Sequence, residues 1–192
     1  MEKIIGRYKI KVLQDTDAES PRTAMDNLGT MVCFHNRYDL GDKHDYRSSD
    51  YSGWEEMLKA IDKREDACII LPLFLLDHSG ITMSTKDFND RWDSGQVGFI
   101  FVSKKKVREE YSVKRITKAL AEKICTYLEG EVETYDQFLT GDVYGYQIWK
   151  LGKKSGKEKK EIDSCWGFYG EDACMKEAEA CVPEQVLPEV VE

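Results

Sequence analysis

ACIILPLFLL, residues 67 to 76, is the longest apolar run in the chain, and whether it is strand or helix decides the fold. Its ten residues fall far short of the roughly 20 that span a bilayer. It contains Pro72, which a helix interior rejects, and it is continuously apolar from Cys68 to Leu76. Both features predict a central strand covered on both faces.

Working outward, Thr30 to Arg37 alternates, with Val32 and Phe34 on one face and Met31, Cys33 and His35 on the other. Arg7 to Leu13 and Val97 to Val102 also read as strands, and Val143–Trp149 with Ile162–Tyr169 reads as a hairpin closed by a lysine-rich connection. Helical spacing marks Trp54, Met57, Leu58 and Ile61, with Ser52 as a candidate cap and Glu55–Lys59 as an i,i+4 pair. Ser103 caps a short basic helix to Tyr111, and Ser112 is the expected cap of the best helix. That helix carries Val113, Ile116, Leu120, Ile124, Tyr127 and Leu128, and its pattern resumes after Gly130. A last helix covers Glu171 to Cys181. Strands paired through hairpins with few helices predict an α+β fold: one mainly antiparallel sheet of five or six strands, helices on one face. The expected organisation is a single domain over residues 1–182 followed by an acidic tail, 183–192.

With 41% hydrophobic and 33% charged residues, the composition is that of a globular protein, and 192 residues bury enough surface to need no staple. The N-terminus lacks an apolar signal core, so a cytoplasmic location is expected and no membrane partner. Six cysteines without a CxxC pair suit buried thiols better than disulfides. Charge is polarised. Residues 161–192 hold nine carboxylates and one lysine, which accounts for the whole net charge of −8. The opposite pole is a basic patch of Lys104, Lys105, Lys106, Arg108, Lys114, Arg115 and Lys118, with Lys123 just beyond. Only Tyr111 interleaves these cations, and the overall acidity opposes direct nucleic-acid binding. An acidic surface that mimics DNA for a basic cleft is the complementary possibility.

Two long polar segments, 38–53 and 77–96, are the candidate functional loops, because long ordered loops are uncommon in compact domains. His44 and His78 lie in them and His35 lies just before the first, among Asp39, Asp42, Asp45, Asp77, Asp87, Asp90 and Asp93. Imidazole with carboxylate suits a divalent metal or an acid/base pair, so His35, His44 and His78 are the metal candidates, although no cofactor is required. The spacing matches neither HExxH nor a zinc ribbon. DFNDRWDSG (87–95) fails the EF-hand template and makes a good turn without a cation. With Trp92, Gln96 and Trp166 added, the candidate binding set is His35, His44, Asp77, His78, Trp92, Asp93, Gln96 and Trp166. No catalytic residue is assigned. Cys165 is mid-strand, Ser79 has no evident base, and no P-loop or GxGxxG occurs.

The strings DTDAESPR (15–22), DNLGTMVCFHNRYDLGDKHDY (26–46), LPLFLLDHSGITMST (71–85), WDSGQVGFIFVSKKKVREEY (92–111), GEVETYDQFLTGDVYGY (130–146) and DSCWGFYG (163–170) resemble a family of small proteins encoded by bacterial phages, prophages and plasmids. That resemblance spans about residues 10–172 and carries no activity, cofactor or catalytic residue. It implies context: an accessory protein of a mobile element in the bacterial cytoplasm. Small acidic proteins in that setting often block host defences. The expected function is therefore non-enzymatic inhibition of a restriction or CRISPR nuclease complex through protein–protein contacts. The alternatives are a small metal-dependent enzyme or nucleotide-binding protein built on the two loops, and a structural adaptor in phage replication or packaging.

Overall fold

A computed structural model describes residues 1–153 and 155–183. The expected acidic tail therefore lies, apart from Pro183, outside the described residues. The fold is α+β, as expected, but it holds two four-stranded antiparallel sheets instead of one larger sheet. The chain divides into two compact units, Met1–Glu19 with Gly141–Glu192 and Ser20–Thr140. The second unit is inserted in sequence between two strands of the first.

In the first unit, β1 (Glu2–Ile5), β2 (Tyr8–Gln14), β7 (Val143–Leu151) and β8 (Glu158–Tyr169) pair in the order β1-β2-β7-β8. Strand alternation puts Ile10, Val12, Tyr146 and Ile148 on one face. There α5 (Glu171–Ala180) covers them with Cys174, Met175 and Ala178. Each fully buried aliphatic side chain contributes about 1.5–3 kcal/mol here. β1 is an addition to the expected strands: its four residues are too few and too charged to show a period.

The second unit contains α1 (Pro21–Ala24), β3 (Thr30–Cys33), α2 (Trp54–Glu65), β4 (Ala67–Asp77), β5 (Ile81–Ser84), β6 (Ser94–Ser103), α3 (Lys104–Glu110) and α4 (Lys118–Thr140). Its sheet order is β3-β6-β4-β5, so β4 is an inner strand as its sequence predicts. Helices cover both faces, not one. Met31, Cys33, Leu73, Ile100 and Val102 face Ile124, Leu128, Val132 and Tyr135 of α4. Val32, Phe99 and Phe101 face Met57 and Ile61 of α2. This three-layer arrangement explains why β6 is apolar at successive positions. A register shift opposite Leu73/Phe74 accompanies the change of side at Val97, which joins the α4 layer.

Local corrections follow the same physics. Ser52 does not cap α2. Gly53 holds the cap position, and the Ser52 amide and hydroxyl donate to Glu56, 2.7 and 2.6 Å away. Ser112 is not the start of α4: it sits at φ 50° just past α3, and Thr117 caps the longer helix by accepting the Leu120 amide. Gly130 leaves α4 uninterrupted, because Leu128 and Val132 on either side are buried. The second polar loop contains β5, paired to β4 through a turn at His78–Gly80. Ser103 does cap α3 by accepting the Lys106 amide, and Lys59 does pair with Glu55. Among the described residues no helix is long and apolar enough to cross a membrane.

All six cysteines are free thiols. Burial pushes the Cys33 thiol up to about 12 and the Cys174 thiol up to about 11, whereas Cys165 is exposed on β8. Since the thiolate is the nucleophile, iodoacetamide at pH 8 should modify Cys165 in the folded protein and spare Cys33 and Cys174 until denaturation. Peptide mass mapping would show it. Equal labelling of Cys33 and Cys165 in the native state would contradict the burial described.

Candidate functional site

The end of the second sheet gathers four of the residues singled out from sequence. The β4–β5 turn carries Asp77 and His78, the start of β6 follows Asp93, and the segment after β3 carries His35. His78 Nδ1 lies 2.7 Å from Asp93 Oδ2, and the Asp77 amide donates to the Asp93 carbonyl at 2.8 Å. Asp77 also pairs with Arg37. His35 Nδ1 accepts the Arg37 and Tyr38 amides at 3.2 and 3.3 Å, and its ring stacks on Tyr38. Arg37 thus ties the first loop to the second, a link no local pattern announces.

Trp92 stands at the edge of this group and is 94% exposed. Its turn is nonetheless well held. Asp90 Oδ1 accepts the Trp92 and Asp93 amides, the Ser94 hydroxyl donates to the Asp90 carbonyl, and Asp87 accepts the Asn89 amide. The amide bonds to Asp93 and Trp92 hold the Asp90 carboxyl below the usual carboxylate range. Asp87 and Asp90 are therefore turn acceptors, and Asp93 is the partner of His78.

His44 stands apart from this group. Its Nε2 lies 3.0 Å from the Cys33 carbonyl, and its ring packs against Phe34 and Tyr46. Its Nδ1 is buried without a hydrogen-bond partner among the described residues. No three His, Cys, Asp or Glu side chains are grouped to hold a metal ion among the described residues, so the three histidines do not form the chelate their sequence suggested. The Gln96 amide donates back to the Gly98 carbonyl within β6. Trp166 belongs to the first unit, on β8.

The basic patch is partly compensated where it stands. Lys104 pairs with Asp66 at 2.6 Å, Lys105 with Glu109 at 4.0 Å and Lys118 with Glu122 at 3.8 Å. Lys106 donates to the Asn27 carbonyl, and Lys123 lies over the Tyr111 ring. Lys114 and Arg115 precede α4, and Arg108 faces solvent from α3.

Sequence reasoning missed the most heavily bonded group in the second unit. The Arg22 side chain is 2% exposed and lies against Asp42 and Glu131. Its Nε and one terminal nitrogen grip Asp42 at 2.9 and 2.6 Å; the other terminal nitrogen donates to Asn27 and Glu131 at 2.9 Å each. The Gly29 carbonyl takes the fifth N–H at 2.8 Å. Burial works against this charge, but the bonds to Asp42 and Glu131 outweigh it and raise the guanidinium pKa. The carboxylates are also engaged: Asp42 accepts the Met31 amide and Glu131 accepts the Leu28 amide. An adjoining open cleft of about 690 Å³ is lined by Asp26, Asp39, Lys43, Lys106 and Tyr135, among others. With all five donors used, Arg22 is a structural tie and has no hydrogen to offer a ligand. Its partners lie 20 and 109 positions away, so no motif reveals it.

The group at His78 has limited chemistry. A carboxylate-bound imidazole can act as a base, but this one is 71% exposed, and water screens any such charge pair. Set against protein-family models, curated protein sequences and solved structures, the chain matches none.

Proposed function

We propose that this chain is a protein-binding module that acts without chemistry of its own and docks a partner through the turn carrying Trp92. The carrying observation is an indole 94% exposed on a turn whose backbone is held by Asp90. A solvent-facing tryptophan on a hydrogen-bonded turn brings a large apolar surface to an interface, and tryptophan leads the residues that dominate binding energies. The neighbouring Arg37, Asp77, His78 and Asp93 supply the polar rim that such an anchor requires.

The partner we propose is a component of a bacterial defence system, a restriction or CRISPR nuclease complex, with the protein acting in the host cytoplasm. Support comes from the likeness of its motifs to mobile-element proteins and from its net acidity, which suits the basic clefts of nucleases. The test is capture from bacterial lysate at low and high salt, with mass-spectrometric identification. A defence nuclease retained by the wild type and lost with Trp92→Ala is the expected result. Retention of no defence component, or an unchanged set with Trp92→Ala, counts against it.

The His78–Asp93 pair favours a second function, a small hydrolytic enzyme with His78 as base. There, His78→Ala would abolish an activity that Trp92→Ala leaves intact.

A further inference from the structure

We propose that the closed end of the β7–β8 hairpin binds a soluble oligophosphate, a small ligand whose phosphates are linked in a chain. The site lies wholly in the first unit, whereas the Trp92 turn belongs to the second.

Five cations converge there. An open cavity of about 490 Å³ is lined by Arg7, Lys150, Lys153, Lys159 and Lys160. Leu151 and Gly152 complete the lining, which holds no carboxylate. The lysines of this unit that do find carboxylates are others: Lys9 and Lys11 share Glu158 at 3.3 and 2.7 Å, and Lys3 takes Glu179 at 2.6 Å. None of the five cavity cations has such a partner among the described residues.

Strand register explains the concentration. Lys150 stands directly opposite Lys160, and the next pair is Leu151 with Glu158, so Lys159 is the extra residue of a bulge. Bulges bend a strand and re-aim its side chains. Glu158 and Glu161 pair with Leu151 and Trp149, which alternate with Lys150, so both fall on the other face with Lys9 and Lys11. Asp163, further along the face of Lys150, accepts the Tyr146 hydroxyl at 3.2 Å. Like charges directly across a strand pair are destabilising. The Lys150–Lys160 pair therefore weakens the free chain, and an anion between the two relieves the repulsion.

Backbone bonds hold the frame. The Leu151 amide donates to the Arg7 carbonyl at 2.8 Å, which fixes the Gly6–Arg7 turn beside the hairpin end. The Gly152 amide donates to the Lys157 carbonyl at 2.9 Å and closes the connection. Arg7 offers a planar fork that fits two phosphate oxygens, and the lysines act as point charges around it.

Lining, size and net charge set the ligand class. No aromatic side chain lines the cavity, so nothing there reads a base, and the phosphates are the recognised group. Its volume falls within the range of about 300–1,000 Å³ typical of small-molecule pockets. The chain as a whole carries −8, which repels a long polyanion that runs beyond the cavity. A short one stays in the local cationic field, because screening confines such fields to about 8 Å at physiological salt.

The probe is inorganic tripolyphosphate, titrated calorimetrically into the full chain at physiological ionic strength. We expect one site per chain and a melting temperature that rises with tripolyphosphate. Lys150→Gln with Lys160→Gln should weaken binding at least about tenfold, and Arg7→Gln, outside the strand pair, should weaken it as well. Without ligand the double variant should melt no lower than the wild type, because it removes the like-charged pair. Lys114→Gln with Arg115→Gln takes equal charge from the second unit and should leave the affinity unchanged. No binding, or equal weakening by the two double variants, would overturn the proposal. So would a DNA duplex held more tightly than tripolyphosphate and released by Lys150→Gln with Lys160→Gln, which would assign the cations to nucleic acid.

Discussion

Arg22→Met should destabilise the protein by about 3–5 kcal/mol in urea unfolding, the cost of removing one member of a buried ion cluster. The methionine fills the volume, but Asp42 and Glu131 are left facing one another without the cation that joins them. The wild-type guanidinium has every N–H bonded, so the loss is of five hydrogen bonds together with their charge. Such a loss is a large part of the roughly 5–15 kcal/mol that holds a typical domain folded. The combined variant Arg22→Met, Asp42→Asn, Glu131→Gln should recover part of it, because neutral amides tolerate one another where carboxylates do not. A change below about 1 kcal/mol in the single variant, on the same scale, would show that the cluster is more solvated than its burial indicates.

Gly98→Ala should have a comparable effect for a steric reason. A Cβ at this position would lie 1.9 Å from the Val32 carbonyl oxygen, a backbone atom that cannot rotate away. Gly98 on β6 pairs with Cys33 of β3 on one side and Leu73 of β4 on the other, so relief requires parting β3 from β6. We expect a loss of about 3 kcal/mol, the upper end of overpacking costs. Gly130→Ala is the contrast. That glycine lies within α4 with nothing within 4 Å of the added methyl, and the change should stabilise by about 0.4–1 kcal/mol. Equal melting temperatures for the two variants would refute the close β3–β6 approach.

The fold was legible where one element's own period carries the information. The apolar run at 67–76 and the 143–169 hairpin gave strands, and the alternation over 30–37 gave one that ends at Cys33. What sequence could not show was how strands partition. Ile10 and Ile100 are equally buried, and nothing local says that they belong to different sheets. Helices on both faces of the second sheet accord with the uniform apolarity of 67–76, which a sheet covered on one face does not require.

The candidate site was legible in part for the same reason. Asp77, His78, Trp92 and Asp93 lie in adjacent strand ends of one loop system, so their proximity follows once β4 and β6 pair. His44 stands apart from that group because its hydrogen bond to the Cys33 backbone beside Phe34 and Tyr46 depends on packing and not on spacing. Arg22 escaped because its contacts with Asp42 and Glu131 cross three elements. Long-range ion clusters leave no periodicity.

The most direct test of the central claim is calorimetric titration of the captured partner with wild type and with Trp92→Ala. Trp92 is almost wholly exposed, so its removal should leave the unfolding free energy unchanged within about 0.5 kcal/mol, as for surface substitutions generally. If the Trp92 turn anchors the interface, Kd should rise about 30-fold or more, corresponding to a hot spot of at least about 2 kcal/mol. An unchanged Kd with an unchanged melting temperature would contradict the account.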